Sequence, residues 1–196
     1  MLADSSFANY IVRSRTILGP IMNLWLRLAW ALLRAWRLPR IEPGTTIERC
    51  LRVWPGDIDI NGHMNNGRYL TIIDLMLVEY FVRSGFARVM VKAGWRPMSG
   101  GAVITYRKGL MPGQGYRLRF ALAGADQAWS FMRFEFLRED GTLCAAGYMK
   151  GAAVGRGGLV PNAESYALMG QAFKAQPLPA AVEHWLAAER AVMDGR

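Results

Sequence analysis

One segment limits the possible folds of this chain more than any other. Residues 69–84 are almost wholly apolar, with Asp74 and Glu79 as the only carboxylates among them. A helix that is apolar nearly all round has to be buried. Gly85 follows directly and is suited to end such a helix. The sequence therefore predicts a long central helix enclosed by the rest of the chain.

Strand patterns lie on both sides of this segment. One strand is predicted before the helix, and four follow it, each with two-residue alternation or a composition rich in β-branched and aromatic residues. Short turns between the later strands predict that these four are successive antiparallel neighbours. The expected fold class is α+β, an antiparallel five-stranded sheet wrapped around the central helix. The five predicted strands are residues 45–54, 99–108, 115–125, 128–138 and 142–154.

Composition divides the chain into three parts. A length of 196 residues suits one domain with terminal extensions. Residues 39–44 contain two prolines and a glycine and are typical of a linker. We expect an N-terminal extension over residues 1–43, a central domain over residues 44–156 and a C-terminal tail over residues 157–196. Helices are predicted in the tail at residues 164–173 and 180–193.

The N-terminal extension contains an amphipathic helix, predicted over residues 21–38. At 100° per residue, Asn23, Arg27, Arg34 and Arg37 share one narrow face, and the other side is apolar. These arginines argue against a membrane span, and no cleavage site for a signal peptide follows. Two interpretations stay open: the helix makes a peripheral membrane contact through residues 20–38, or it packs its apolar side on the domain or on a dimer partner.

The polar loop before the central helix is the densest cluster of reactive side chains. Residues 57–66 hold two Asp, three Asn and a His around Gly62. Such a loop should lie against the N-terminus of the helix, where free backbone N–H groups favour negative charge. A carboxylate beside backbone donors is what cleavage of a thioester requires. A helix-capping turn without catalysis is the alternative.

A calcium site is the other hypothesis that this loop raises. Asp57-x-Asp59-x-Asn61-Gly62 matches the first half of a calcium-binding loop. The twelfth position should be a bidentate Glu and is Arg68 instead, and a strand and turn precede the loop where a helix is required. With only two histidines in the chain, we expect no metal site.

The loop also carries a resemblance. Asp57-x-Asp59-x-x-Gly62-His63-Met64-Asn65-Asn66-x-x-Tyr69-Leu70 resembles the signature of the 4-hydroxybenzoyl-CoA thioesterase branch of the hotdog superfamily. The resemblance covers about residues 45–155. Within this branch, the sequence is most similar to the members that read HMNN before the central helix, among them proteins like thioesterase superfamily member six. It implies a hotdog fold and hydrolysis of acyl-CoA, with coenzyme A as part of the substrate and no other cofactor. It also implies a homodimer with the active site at the subunit interface, often paired into tetramers.

The resemblance assigns roles to single residues. It implies that Asp59 is the nucleophile or general base and that Asp57 is a supporting carboxylate. No Ser, Thr or Cys in the loop shares this chemistry. The site predicted on this basis has catalytic residues Asp59, His63 and Asn65 and substrate-binding residues Asp57, Asn66, Tyr69, Tyr106 and Arg107.

Charge and cysteine content bear on partners and location. Lys and Arg number 24 against 15 Asp and Glu, a net charge of +9, which suits an anionic partner such as the phosphates of coenzyme A. No basic run is interleaved with aromatic residues, so nucleic acid is not expected as a partner. Cys50 and Cys144 form no CxxC pair, which indicates a reducing, cytoplasmic location, with membrane association if the N-terminal helix binds lipid. The alternative function is a non-catalytic hotdog module that binds acyl chains or CoA, or a membrane-associated scaffold.

Overall fold

A computed structural model describes residues 11–14 and 24–195 of the chain. In these ranges the predicted strands and helices occur in the predicted order, with a 3-10 turn at Pro55–Asp57 before the central helix. Two short strands and one helix were not predicted, so the sheet has seven strands and not five. The strands are β1 (Ile11–Ser14), β2 (Thr46–Arg52), β3 (Arg96–Tyr106), β4 (Gly115–Ala125), β5 (Ser130–Arg138), β6 (Leu143–Gly155) and β7 (Gly158–Val160). The helices are α1 (Leu24–Arg37), α2 (Asn66–Ser84), α3 (Phe86–Ala93), α4 (Asn162–Leu168) and α5 (Ala180–Asp194).

The strands form one curled sheet around α2. Its order is β1-β2-β4-β5-β6-β3, with β7 paired to the end of β6, and every pairing is antiparallel except the parallel pairing of β1 and β2. Ile73 and Met76 on α2 pack with Phe120, Phe134 and Phe136 on the inner face of the sheet. Each fully buried side chain of this size contributes about 1.5–3 kcal/mol to folding. The predicted class, a sheet wrapped around a central helix, is confirmed.

The ends of α2 follow from its sequence. Asn65 precedes the helix, and its side chain accepts a hydrogen bond of 2.9 Å from the amide of Gly67. Such a cap satisfies one of the donors that a helix leaves open at its start. Gly85 ends the helix with φ of 86°, a left-handed conformation that glycine adopts without strain. The predicted end at Gly85 is confirmed, and the start lies three residues earlier than predicted.

The predicted neighbours of β3 are wrong. β3 pairs with β6 at the far edge of the sheet and not with β4. Residues 107–114, which connect β3 to β4, are no tight hairpin, and they cross the sheet at the end where α2 begins. The amides of Arg107 and Lys108 donate to the carbonyl of Cys144 at 2.7 and 3.1 Å, and the amide of Met64 donates to the carbonyl of Leu110 at 2.8 Å. These contacts hold the connection against β6 and the polar loop.

The N-terminal helix does not pack its whole apolar side on the domain, which was one of the two interpretations left open. α1 lies on α2 with Arg27 and Arg34 turned inward, whereas Leu26, Leu33 and Trp36 are 57%, 46% and 75% exposed. Inward arginines need acidic partners, and buried carboxylates of the central domain supply them. Residues 21–23 of the predicted helix lie outside the described residues.

One of these carboxylates belongs to Glu79. Its side chain is buried, and it forms ion pairs of 3.2 Å with Arg49 on β2 and 3.0 Å with Arg83 on α2. The guanidinium groups of Arg34 and Arg49 also lie over the ring of Trp30, at 5.5 and 5.8 Å. Burial lowers the pKa of Arg34 and of Arg49, and the nearby Glu79 carboxylate partly opposes this shift.

The C-terminal helix α5 packs on the outer face of the sheet. The ring of Trp185 lies 6.4 Å from that of Phe131 on β5. Lys150 on β6 forms an ion pair with Glu189 and lies over the rings of Trp129 and Trp185. Among the described helices, none combines the length and apolarity needed to cross a bilayer.

Candidate active site

The polar loop closes on itself directly before α2. The amide of Asp59 donates to the carbonyl of His63, and the amide of Gly62 donates to the carbonyl of Asp59, both at 3.0 Å. Gly62 makes the turn with φ of 78°. Below this turn, the amide of Asn65 donates to the carbonyl of Asp57 at 2.8 Å. The loop is therefore a closed turn whose base is the contact between Asp57 and Asn65.

The side chain of Asp59 lies in this turn and is 16% exposed. Its Oδ1 accepts a hydrogen bond of 2.9 Å from the amide of Asn61. The Nδ1 atom of His63 lies 3.7 Å from the same oxygen, which is beyond direct hydrogen-bond distance. The carboxylate of Asp59 is therefore held on one side by a backbone amide, and its other side is partly open to solvent.

His63 lies between the loop and the connection from β3 to β4. Its Nδ1 atom is 3.4 Å from the carbonyl oxygen of Met64, and its ring is partly exposed. Gly109 packs closely against it, since a Cβ added at Gly109 would stand 3.2 Å from the Cβ of His63. The imidazole is therefore supported from one side and reaches solvent on the other.

The first turn of α2 offers an open backbone donor. The Asn65 side chain occupies the amide of Gly67, and the Asn65 carbonyl accepts from the amide of Arg68 at 2.9 Å. No described residue accepts from the amide of Asn66. An open N–H at the positive end of a 19-residue helix is suited to stabilise an oxyanion.

Asp57 differs from Asp59 in its burial and in its charged partners. Its carboxylate is 1% exposed and accepts two hydrogen bonds from Arg27, of 2.9 and 3.2 Å. The amide of Trp54 donates to it at 3.1 Å, and Arg68 Nε lies 3.7 Å away. At 1% exposure Asp57 has little surface for the substrate contact that was predicted for it, and its contacts fit the other predicted role, that of a supporting carboxylate. Sequence reasoning did not find Arg27, although its place on the polar face of α1 was a signal.

Two tyrosines complete the region around the start of α2. The hydroxyl of Tyr106 donates to the carbonyl of Asn66 at 3.0 Å, so the end of β3 is tied to the first residue of the helix. Tyr69 is buried one turn further on, with its ring 5.1 Å from that of Tyr106. Burial raises the pKa of Tyr69 to about 12. Arg107 follows Tyr106 and is exposed.

The structure thus gathers most of the predicted residues at one place. Asp59, His63, Asn65, Asn66 and Tyr106 lie around the start of α2, where Asp57 and Tyr69 support them from inside. Among the described residues, no three side chains of His, Cys, Asp or Glu converge to hold a metal ion.

A cavity lies along the second half of α2, away from the polar loop. Its volume is about 260 Å³, and its lining is mostly apolar. Asp74 is the first residue of α2 on its wall, eight residues beyond Asn66 and therefore about 12 Å along the helix. Burial raises the pKa of the Asp74 carboxyl. The lining includes Leu77, Phe81, Met98, Leu122, Met132, Met149 and Ala152.

With this geometry described, comparison with known proteins places the chain in a family. Residues 53–186 match the model of the thioesterase-like superfamily. Since this stretch is well over half of the sequence, the chain belongs to that superfamily. Protein THEM6 from Xenopus laevis is 33% identical over 90 residues, which are 45% of this chain and 44% of that protein. The chain thus matches less than half of the length of that relative.

Solved structures agree on the fold. The probable thioesterase YbaW from Escherichia coli has a TM-score of 0.58 at 15% identity, over 65% of this chain and 98% of that one. SAV2348 from Staphylococcus aureus, solved in complex with CoA, has a TM-score of 0.56 at 16% identity, over 70% of this chain and 93% of that one. A DHNA-CoA thioesterase, also from S. aureus, has a TM-score of 0.56 at 15% identity, over 77% of this chain and 95% of that one. The fold of this chain is the hotdog fold, as predicted.

Proposed function

We propose that this protein hydrolyses acyl-CoA or a related acyl thioester to the free acid and the thiol. The observation that carries the proposal is the pairing of a partly open carboxylate, Asp59, with an unoccupied amide at the start of a buried helix. Membership of the thioesterase-like superfamily supports it. So does the likeness in fold to a protein that was solved with CoA.

In the proposed reaction the thioester carbonyl lies between these two groups. Asp59 either attacks the carbonyl carbon or takes a proton from the water that does so. The oxygen that gains charge accepts from the amide of Asn66. The C–S bond then breaks, and the sulfur leaves as the thiol with a proton that comes from protonated Asp59 in the general-base route and from solvent in the nucleophilic route. In the nucleophilic route, water then hydrolyses the acyl–Asp59 anhydride, which releases the acid and restores the carboxylate. His63 and Asn65 shape the loop around the carboxylate.

The binding residues follow from their positions around the same helix start. Tyr106 ties β3 to Asn66, and Arg107 next to it is exposed, where it can meet the phosphates of CoA. The excess of basic over acidic residues also favours such an anionic ligand. The mostly apolar cavity beside α2 suits the acyl group.

A second copy of the chain would bring the cavity and the loop together. The outer edge of β3 pairs with no described strand, and its residues are largely exposed. Two β3 strands that pair antiparallel about their middle, near Gly101, place each strand's Tyr106 end beside the other's Arg96 end. Pro97 and Met98 line the cavity near that Arg96 end. The proposed homodimer therefore sets the loop of one chain beside the cavity of the other.

Release of free CoA from a panel of acyl-CoAs tests the proposed activity. Asp59→Asn should lower kcat by about 100- to 10,000-fold, because it removes the acid–base or nucleophilic group without changing side-chain size. Asp140→Asn is a matched control, since Asp140 also accepts from the amide two residues on, at 2.8 Å, in the turn between β5 and β6. Equal rates for wild type and Asp59→Asn would leave the loop as a capping turn without catalysis.

A membrane-associated scaffold is the second candidate function, and one observation favours it. Leu26, Leu33 and Trp36 form an exposed apolar face on α1, in a chain of strongly positive charge. We propose that this face contacts anionic lipid from the cytoplasmic side. Replacing the three residues with Ser should abolish flotation with anionic liposomes and leave CoA release unchanged, and flotation that survives the replacement would remove α1 as the contact.

A further inference from the structure

We propose that Arg27 is a positioning residue for the reaction, so that α1 forms part of the frame of the active site. The inference rests on the proposed function, since it assigns Asp59 the reactive role. Arg27 lies outside the stretch that matches the superfamily model, which begins at residue 53. The comparison with the family therefore gives it no role.

The orientation of α1 is the first observation. Burying Leu26, Leu33 and Trp36 would gain free energy from the hydrophobic effect, yet these side chains face outward. Arg27 faces inward, with only 14% of its side chain exposed. The docked face combines the small side chains of Ala31 and Ala35 with Arg27 and Arg34, and Arg27 makes the contact that reaches the polar loop.

The environment of Asp57 is the second observation. A carboxylate that is 1% exposed has to be compensated, because the charged form loses its hydration. Arg27 supplies a bidentate pair at 2.9 and 3.2 Å, whereas Arg68 Nε stays at 3.7 Å. Without Arg27 this carboxylate would keep the amide of Trp54 and a distant guanidinium, and it would have to move toward water.

The path from Asp57 to Asp59 is the third observation. The carbonyl of Asp57 accepts from the amide of Asn65, the residue that caps α2. Ile58 and Met64 form the next bridge, and Asp59 pairs with His63 above it. Asp57 is therefore at the base of a ladder whose top is Asp59. A shift of the base moves the reactive carboxylate relative to the amide of Asn66, and shifts of about 1 Å between reacting groups can lower rates by about 100-fold.

Three variants of the full-length chain test this role. Arg27→Gln removes the charge, Arg27→Lys keeps the charge but not the bidentate geometry, and Arg37→Gln is the matched control on the exposed end of the same helix. Each is measured for kcat and KM with acyl-CoA, for thermal melting, and for hydrogen exchange of the amides of Asp59 and Asn65.

The expected result separates positioning from folding. Arg27→Gln should lower kcat at least about tenfold with KM changed less than about threefold, and exchange at both amides should become faster. Arg27→Lys should recover part of kcat, and Arg37→Gln should match wild type. If Arg27→Gln fails to fold, a lower kcat and faster exchange in folded Arg27→Lys carry the same conclusion.

Other results overturn the proposal. A wild-type kcat in folded Arg27→Gln would do so, as would a loss that follows only the folded fraction. Failure of the proposed function is distinguishable, because wild type would then release no CoA. Hydrogen exchange at Asp59 and Asn65 would still decide whether Arg27 holds the loop.

Discussion

The two halves of α2 differ in what they offer a substrate. At its start, polar groups of the loop, of Asn65 and of Tyr106 surround an open backbone amide. Along its second half, apolar side chains line a cavity of about 260 Å³, and Asp74 is the only charged side chain that the described residues place on its wall. The first region has groups suited to chemistry, and the second has a mostly apolar volume.

Under the proposed function, this difference means that a single chain separates the reacting groups from the cavity for the acyl group. The cavity begins about 12 Å along the helix from the open amide, and a rigid helix cannot bring its two halves together. A second copy that pairs along β3 can do so, because the strands run in opposite directions across the interface. The comparison therefore predicts that each proposed active site uses the loop of one chain and the cavity of the other.

The largest expected effect tests whether each proposed site combines the loop of one chain with the cavity of the other. Asp59→Asn removes the chemistry, and Ala152→Phe fills the cavity, so each variant alone should lose most activity on long acyl-CoAs. For Ala152→Phe we expect a loss of about 10- to 200-fold in kcat/KM that becomes smaller with the shortest acyl group. Co-expression of the two variants should restore about one quarter of the wild-type rate, since half of the dimers are mixed and each has one intact site.

The control for this experiment is each variant co-expressed with itself, which should keep the low rate of CoA release of that variant alone. Leu77→Trp, at another position on the cavity wall, guards against misfolding of the Ala152→Phe chain. No recovery in the mixed sample, with both variants folded, would place loop and cavity of the same chain in one site.

A smaller effect concerns the only charge on the cavity wall. Because burial raises the pKa of Asp74, ionisation costs more in the folded than in the unfolded chain. The contribution of Asp74 to stability is therefore most favourable at acid pH, where its carboxyl is protonated, and this contribution is lost as pH rises through the raised pKa. Asp74→Asn should therefore raise Tm by about 1–2 °C at pH 7 and leave it unchanged near pH 3. The gain is small because the side chain is partly exposed and its charge is screened.

Asp140→Asn serves as the comparison, because it should lower Tm at pH 7 where Asp74→Asn should raise it. Hydrogen bonds from Thr142 lower the pKa of Asp140, so its ionised form stabilises the fold at neutral pH. Thermal melting at both pH values measures both variants. A lower Tm for Asp74→Asn at pH 7 would show that the carboxylate is stabilised in the cavity wall after all.

The sequence predicted those parts of the fold that depend on local pattern. β4 has the predicted bounds, and α2 ends at Gly85 because a left-handed residue is needed there. The polar loop was found from its composition, since Asn and Asp cap helices and make turns wherever they occur in such density. These features need no information about distant residues.

Features that depend on distant partners were missed or reversed. β3 joins β6 because an eight-residue connection crosses the sheet, and no local pattern shows where such a connection ends. The periodicity of α1 shows which residues share a face and not which face turns inward. That choice depends on Asp57, which lies 30 residues after Arg27 in the chain. Open amides at the start of the helix were predicted from the sequence, but the single amide that stays open, that of Asn66, was not.

The order of synthesis gives the docking of α1 a further consequence. A ribosome adds about 5–20 residues per second, so about 2–6 s pass between the appearance of Arg27 and that of its acidic partner. During that interval Arg27 has no Asp57 to pair with. The helix is therefore made before its partner in the polar loop, and it can complete its docking only after residue 57 has been synthesised.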